Sequence, residues 1–434
     1  MESLAIGLLG LGTVGSGVAR ILRDSHERVT RRAGRRLVLK TALVRDGEKD
    51  RGEFIDASAI VTDPALVLRD PAIRVILEVM GGLEPARTFV LEALARGKDV
   101  VTANKALLAD HGPEIVAQAR KYGRCVAFEA SVGGGIPIVH ALAVSLAANQ
   151  VMSLAAILNG TCNFILTAMT RDGLSYETAL GKAQELGYAE ADPTLDVDGT
   201  DTAHKLAILA QIAFGASVTT RDIPRVGIDQ LHSHDLRYAA ELGYGVKLLA
   251  LAKYAPSGLE LRVAPTLVKL GTPLAEVRGP YNAVRVVGDA VGDTLFYGRG
   301  AGSMPTASAV VGDLIDVVIG RSKLTFDALN LWPEDAPSPR LASSAGVRSR
   351  YYLRFSIADE PGVLGSIAER LGNAGISIAS VIQHDPGEHD AANSCVSLVV
   401  MTHVAVESKL HAALAEIDRL PSVKSPSVCL GVEE

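Results

Sequence analysis

Residues 4–15 constrain this chain more than any other stretch. An apolar run over 4–9 meets Gly10-Leu11-Gly12-Thr13-Val14-Gly15 and then a helical pattern through Val18, Ile21 and Leu22. So continuous a run reads as a strand buried on both faces, as in a parallel sheet. Glycines at that spacing between strand and helix let backbone N–H groups approach a pyrophosphate at the helix N-terminus. The competing reading is a tight turn without a ligand. The succession of strand–helix units after it favours a dinucleotide cofactor held by Gly10, Gly12, Thr13, Val14 and Gly15. Strands are expected at 38–44, 75–79, 99–101 and 125–129, with helices at 85–95 and 113–122 between them. Such alternation predicts an α/β fold: a Rossmann-type, doubly wound parallel sheet over residues 1–130.

A cofactor of this class meets the end of the second strand with its ribose. Arg45 there would pair with a 2′-phosphate and favour NADP, Asp46 would serve NAD, and a solvated strand end would serve neither. The weight falls slightly toward NADP.

Past residue 130 the pattern is mixed α/β, extending to about 332. Helices are expected at 175–186 and 201–214, and strands at 259–268 and 283–287. Residues 298–302 form a glycine turn before a helix for which Ser303 is the expected N-cap and Pro305 lies in the first turn. Residues 130–170 carry no Lys, Arg, Asp or Glu. Glycines and asparagines break that stretch well short of the roughly 18 apolar residues a membrane helix needs, so it reads as core. A linker rich in Pro, Ser, Ala and Arg is expected over 333–349. The tail, 350–434, reads βαββαβ, with alternation from Tyr351 to Ile357 and a helical stripe at Leu364, Ile367, Ala368 and Leu371.

The formal charge of −6 and the lack of a basic block speak against nucleic acid as a partner. Four scattered cysteines without a C-x-x-C pair suit a reducing compartment, and Glu2 just before the glycine loop leaves no signal peptide; a cytoplasmic protein without membrane attachment is expected.

The densest chemistry lies between 186 and 205. Gly187-Tyr188-Ala189-Glu190-Ala191-Asp192-Pro193 leads through Asp196 and Asp198 to Asp201 and Lys205. The last two share a helix face at i,i+4, ahead of the apolar run 206–210. A lysine at the lip of a buried helix facing carboxylates suggests a polar site, against the alternative of a surface ion pair.

This segment resembles the homoserine dehydrogenase family, as do Thr102-Ala103-Asn104-Lys105, the run Glu129 to Pro137 with its three glycines, and Leu158-Asn159-Gly160-Thr161-Cys162-Asn163. The resemblance implies reversible reduction of L-aspartate 4-semialdehyde to L-homoserine by NADPH or NADH. It makes 131–332 the homoserine-binding catalytic and dimerisation domain, with about 298–320 packing back on the cofactor domain. Lys205 would be the proton donor and Lys105 would lie beside nicotinamide and substrate oxygen. Glu190 and Asp201 would hold the substrate ammonium, with Asp196 behind them and Gly187 and Tyr188 in the same loop. Thr102 and Gly302 would join the cofactor contacts. Glu129 with the carbonyls of Val132, Gly134 and Ile136 would bind a monovalent cation such as sodium or potassium, where the plain alternative is a glycine turn.

The tail resembles an ACT domain, opening with Asp359-Glu360-Pro361-Gly362-Val363-Leu364 at its first strand–helix turn. That implies an amino-acid effector, threonine being the natural feedback ligand of a threonine, methionine and isoleucine pathway, or else a dimerisation module without a ligand. A homo-oligomer, dimer or tetramer, is expected. Two other readings compete: another amino-acid-pathway dehydrogenase with an ACT domain, and a non-catalytic amino-acid sensor. Neither accounts for the segment from Glu190 to Lys205.

Overall fold

The computed structural model describes residues 2–49, 51, 54–333, 338–384 and 395–433. The chain divides into two compact units, each assembled from separated stretches: 1–160, 200–223 and 280–339 in the first, 161–199, 224–279 and 340–434 in the second.

The first unit is built on a six-stranded, all-parallel sheet in the order Ile60–Val61, Arg36–Leu43, Ser3–Leu9, Ile73–Glu78, Asp99–Thr102, Val126–Ala127. This doubly wound order puts the carboxyl ends of Ser3–Leu9 and Ile73–Glu78 side by side, where ligands of such sheets bind. Ile6, Leu8, Ile76 and Leu77 are fully buried, as a strand covered on both faces requires. The same unit holds the antiparallel strands Val151–Ile157, Tyr281–Gly288 and Gly292–Arg299.

Two local expectations are corrected. The helix expected at 113–122 is Lys105–Lys121, with Pro113 inside it. Asn104 starts it, its Oδ1 accepting from the Leu107 N–H at 3.1 Å, and this cap prevails over the proline signal. Ser303 is the first helical residue of Ser303–Val318 and not its cap, a place that Gly302 takes. The Ser303 hydroxyl instead donates to the Thr13 carbonyl at 2.6 Å, tying this helix to the first glycine loop.

In the second unit the hairpin Tyr244–Ala255/Gly258–Lys269 pairs in parallel with Val423–Glu433, which continues antiparallel into Tyr351–Ala358, Cys395–Thr402 and Ile378–Gln383. Helices Val363–Asn373 and Glu407–Ile417 complete the βαββαβ tail. Its core gathers Phe355, Ile367, Leu371, Leu398 and Leu410. One face of the tail's strand Tyr351–Ala358 also meets helix Ser233–Glu241. There the Arg354 guanidinium is bidentate on Asp235 (Nε to Oδ1 2.6 Å, Nη2 to Oδ2 3.2 Å), and the Tyr352 hydroxyl donates to the same carboxylate at 3.1 Å. Asp235 is fully buried.

The stretch expected as a linker is more ordered than its composition suggests. Residues 334–337 lie outside the described residues, but the Leu259 N–H donates to the Arg340 carbonyl and the Ala342 N–H to the Leu259 carbonyl, both at 2.9 Å. The hairpin is thus held by backbone hydrogen bonds to 340–342 at one end and by the tail's last strand at the other, so the expected linker is not a free segment. Among the described residues no single helix is long and apolar enough to cross a membrane.

Candidate active site

At the first glycine loop, Gly10 adopts a positive φ of 98°, and a Cβ there would lie 3.0 Å from the Val79 carbonyl oxygen. A Cβ on Gly15 would lie 2.2 Å from the Gly10 carbonyl oxygen, so these two glycines serve strand–helix packing. Gly12 differs. It is the N-cap of helix Thr13–Asp24 and has nothing within 4 Å of a Cβ position. Open space at a helix N-terminus suits an approaching phosphate. Arg45 and Asp46 are exposed just past Arg36–Leu43, and Asp46 Oδ1 accepts the Glu48 N–H at 3.0 Å.

The sequence-nominated lysines and one acid converge within the first unit. Asp201 and Lys205 lie at the start of helix Thr200–Phe214, and Lys105 is the first residue of Lys105–Lys121. Lys205 Nζ donates to Asp201 Oδ2 at 2.6 Å and to the Leu158 carbonyl at 2.7 Å. Lys105 Nζ meets Asp201 Oδ1 at 2.9 Å. Asn159 Nδ2 adds a donor to Oδ2 at 2.9 Å. Asp201 and Lys205 are 7% and 8% exposed, while 39% of the Lys105 side chain reaches solvent. Burial would raise the Asp201 carboxyl, but the Lys205 and Lys105 ammoniums prevail and hold it well below the usual carboxylate range. Two ammoniums against one carboxylate leave a net positive charge beside a buried surface, suited to an oxyanion.

Gly187, Tyr188, Glu190 and Asp196 belong to the second unit. Gly187 ends the turn after Tyr176–Glu185 at φ 72°. The Tyr188 carbonyl accepts from the Thr161 hydroxyl at 2.6 Å, and its ring lies 4.9 Å from that of Phe164. Glu190 is exposed, with its carbonyl held by Gln184 Nε2 at 3.1 Å. The Asp196 carbonyl accepts from the Cys162 thiol at 3.2 Å.

Around Glu129, the carboxylate accepts the N–H groups of Val139 at 2.9 Å and His140 at 2.7 Å, and burial pushes it up to about 7. The loop behind it is tight: a Cβ on Gly134 would lie 2.4 Å from the Gly300 carbonyl oxygen. Among the described residues no backbone N–H donates to the carbonyls of Val132 or Gly134, whereas the Ile136 carbonyl accepts from Ile138. Buried carbonyls without donors fit a hard cation of low charge. Among the described residues no group of three or more His, Cys, Asp or Glu is placed to hold a metal ion.

Asn159 stood in a sequence motif without a role, and two polar groups escaped the sequence reading: Asp313, whose carboxylate accepts the Glu129 N–H at 2.8 Å, and Glu78, fully buried at the end of Ile73–Glu78. The signal for Glu78 was a lone acid closing an apolar strand.

Family models match this chain in three places: the homoserine dehydrogenase NAD-binding domain over residues 10–129, homoserine dehydrogenase over 137–315, and the ACT domain over 351–422. A homoserine dehydrogenase of Pseudomonas aeruginosa is 45% identical over the full length of both chains. The chain belongs to the homoserine dehydrogenase family. That of Bacillus subtilis is 38% identical, covering all of this chain and 99% of its own. A crystal structure of the Thiobacillus denitrificans homoserine dehydrogenase superposes with a TM-score of 0.91 at 44% identity, covering 100% of this chain and 99% of that one. A hyperthermophilic archaeal homoserine dehydrogenase in complex with NADPH matches with a TM-score of 0.62 at 26% identity, covering 73% of this chain and 98% of that one. The protein is therefore an NAD(P)-dependent oxidoreductase of amino-acid biosynthesis carrying an ACT domain, and the competing identities fall away.

Proposed function

We propose that Lys205 delivers the proton that completes reduction of L-aspartate 4-semialdehyde to L-homoserine, with Lys105 beside it and Asp201 holding both ammoniums in place. The observation that carries this reading is the buried carboxylate gripped by two lysines. The nicotinamide, when bound, supplies the hydride. As charge grows on the aldehyde oxygen, Lys205 donates to it, and the excess positive charge stabilises an alkoxide present only near the transition state. In the reverse direction Lys205 takes the homoserine hydroxyl proton. By the family resemblance, Glu190 and Asp201 would hold the substrate ammonium, with Asp196 behind them and Gly187 and Tyr188 in the same loop as Glu190. Turnover by a Lys205 variant is the decisive test.

The cofactor reading leans to NADP. Arg45 is exposed and takes part in no ion pair among the described residues, while Asp46 is engaged in its own turn. A charge-assisted contact to a 2′-phosphate contributes about 1.5–3 kcal/mol. Arg45→Ala should therefore raise the KM for NADPH at least tenfold and leave that for NADH nearly unchanged. Equal effects on both cofactors would reduce Arg45 to a solvated strand end.

Sodium or potassium is the cation proposed for Glu129 and the carbonyls of Val132, Gly134 and Ile136, where it would stiffen the loop backed by Gly300. The edge strand Gly292–Arg299 exposes Leu295 and Tyr297, the kind of surface a second subunit covers, which supports a dimer or tetramer. Four free cysteines support a cytoplasmic setting.

Threonine is the proposed effector at the ACT domain. Added to the full-length enzyme, it should lower the rate non-competitively with aspartate semialdehyde, within the 5–150-fold range of coupling energies of about 1–3 kcal/mol. Purely competitive inhibition would place threonine at the catalytic site as a homoserine mimic. Truncation near Ser338 is a poor control, because it removes the strand paired with Gly258–Lys269.

A further inference from the structure

Lys105 sits on the first turn of its helix, and its aim depends on the turn before it. That turn is fastened from below. Glu78, fully buried, pairs in register with Thr102 across the parallel strands Ile73–Glu78 and Asp99–Thr102. Its Oε2 accepts from the Thr102 hydroxyl at 2.6 Å, its Oε1 from the Met80 N–H at 2.8 Å, and its backbone carbonyl from the Ala103 N–H at 3.1 Å. The Thr102 hydroxyl oxygen in turn accepts the Asn104 N–H at 3.0 Å. Asn104 Nδ2 donates to the Gly82 carbonyl at 2.7 Å while its Oδ1 caps the helix. Among the described residues no ion pair involves Glu78. A buried carboxylate without a cation is costly unless donors saturate it, and here they come from both loops that follow the two strands.

We propose that Glu78 is a positioning residue for the reaction: it locks the Thr102-Ala103-Asn104 turn against the Met80–Gly82 turn and so aims Lys105 at Asp201. The inference rests on the assignment of Lys105 to the site. Burial raises the Glu78 carboxyl while these donors oppose the rise, and in its ionised form it only accepts, so it can satisfy a hydroxyl and an N–H at once. An amide of the same shape would turn an NH₂ group toward one of those donors. The Thr102–Glu78 contact would then break or rotate, and the start of the helix would shift with it.

The test is made on the full-length protein. Glu78→Gln should lower kcat on the order of 10²-fold, the effect of misplacing a reacting group by about 1 Å. Introduced into Lys105→Ala, it should lower kcat no further, since its effect passes through Lys105. In the cofactor-free protein, acylation of Lys105 by an amine-reactive ester, read by peptide mass spectrometry, should speed up severalfold once the ammonium is released from Asp201. A loss of the same factor in both backgrounds, or an unchanged acylation rate, overturns the inference. If Glu78→Gln does not fold, Thr102→Val against Thr102→Ser replaces it, and only the serine should keep Lys105 slow to acylate; equal rates overturn the inference. Full activity in Lys105→Ala alone would instead refute the role of Lys105, while the acylation rate still decides whether Glu78 aims it.

Discussion

Lys205→Ala should lower kcat roughly 10²–10⁴-fold in both directions, the range for a positioned general acid or base, with little change in cofactor affinity. The lysine contributes at two levels. In the proposed mechanism it supplies the proton, and in the structure it is half of the positive charge that offsets Asp201. Its removal leaves Asp201 with Lys105 and Asn159 as partners, so the buried acid keeps a cation and the protein should still fold. Initial rates with aspartate semialdehyde and with homoserine, alongside cofactor titrations, measure the effect. A variant with near-normal kcat would remove Lys205 from the mechanism. The pH dependence of the pair has a definite sign. Because the folded state holds the Asp201 carboxyl below its ordinary value, the pair's stabilisation is fully present above about pH 4 and is lost as pH falls through the folded pKa. The two ammoniums thus keep their counter-ion through the neutral range.

The largest expected loss of stability lies elsewhere. Arg354→Met should destabilise the second unit by about 3–5 kcal/mol, because it leaves Asp235 fully buried with, among the described residues, only the Tyr352 hydroxyl and the His232 N–H as donors. Urea unfolding followed by circular dichroism gives the size of the effect. Asp235→Leu added to Arg354→Met should recover much of the loss, since an apolar pair needs no counter-charge. A change below about 1 kcal/mol, the range of exposed pairs, would show that water reaches this carboxylate. The same salt bridge makes the ACT strand and helix Ser233–Glu241 one mechanical piece, which bears on how an effector signal could leave the tail.

The parallel sheet was legible because buried strands carry a continuous apolar signal and glycines mark their turns; Ile73–Glu78 and Asp99–Thr102 lie within two residues of their expected places. The tail was legible for a related reason, as its period-2 and period-3.6 patterns are clean. Strands Val151–Ile157 and Tyr244–Ala255 were not, because a largely apolar run without clean alternation does not declare whether it is helix or strand. At the site, Lys105, Asp201 and Lys205 could be nominated from charge in apolar surroundings and from motif. Asn159 and Glu78 could not be given roles, because their partners Asp201 and Thr102 lie 42 and 24 residues away. The expected linker erred on composition. Pro, Ser and Ala suggested a free segment, yet backbone pairing of Arg340 and Ala342 with Leu259 depends on geometry and not on side chains.

The parallel pairing of Val423–Glu433 with Gly258–Lys269 also sets an order of events during synthesis. Residues 1–130 include every strand of the parallel sheet, so that sheet has all its parts when less than a third of the chain has left the ribosome. On the outer edge of the hairpin, Val263 and Leu259 find partners at Arg225 and at Arg340 and Ala342, but Thr266–Val268 must wait unpaired until more than 150 further residues have emerged. An open edge is a template for pairing with other chains. Slow translation or premature termination in the tail should therefore show itself first as aggregation of nascent protein, before any effect on catalysis could be felt.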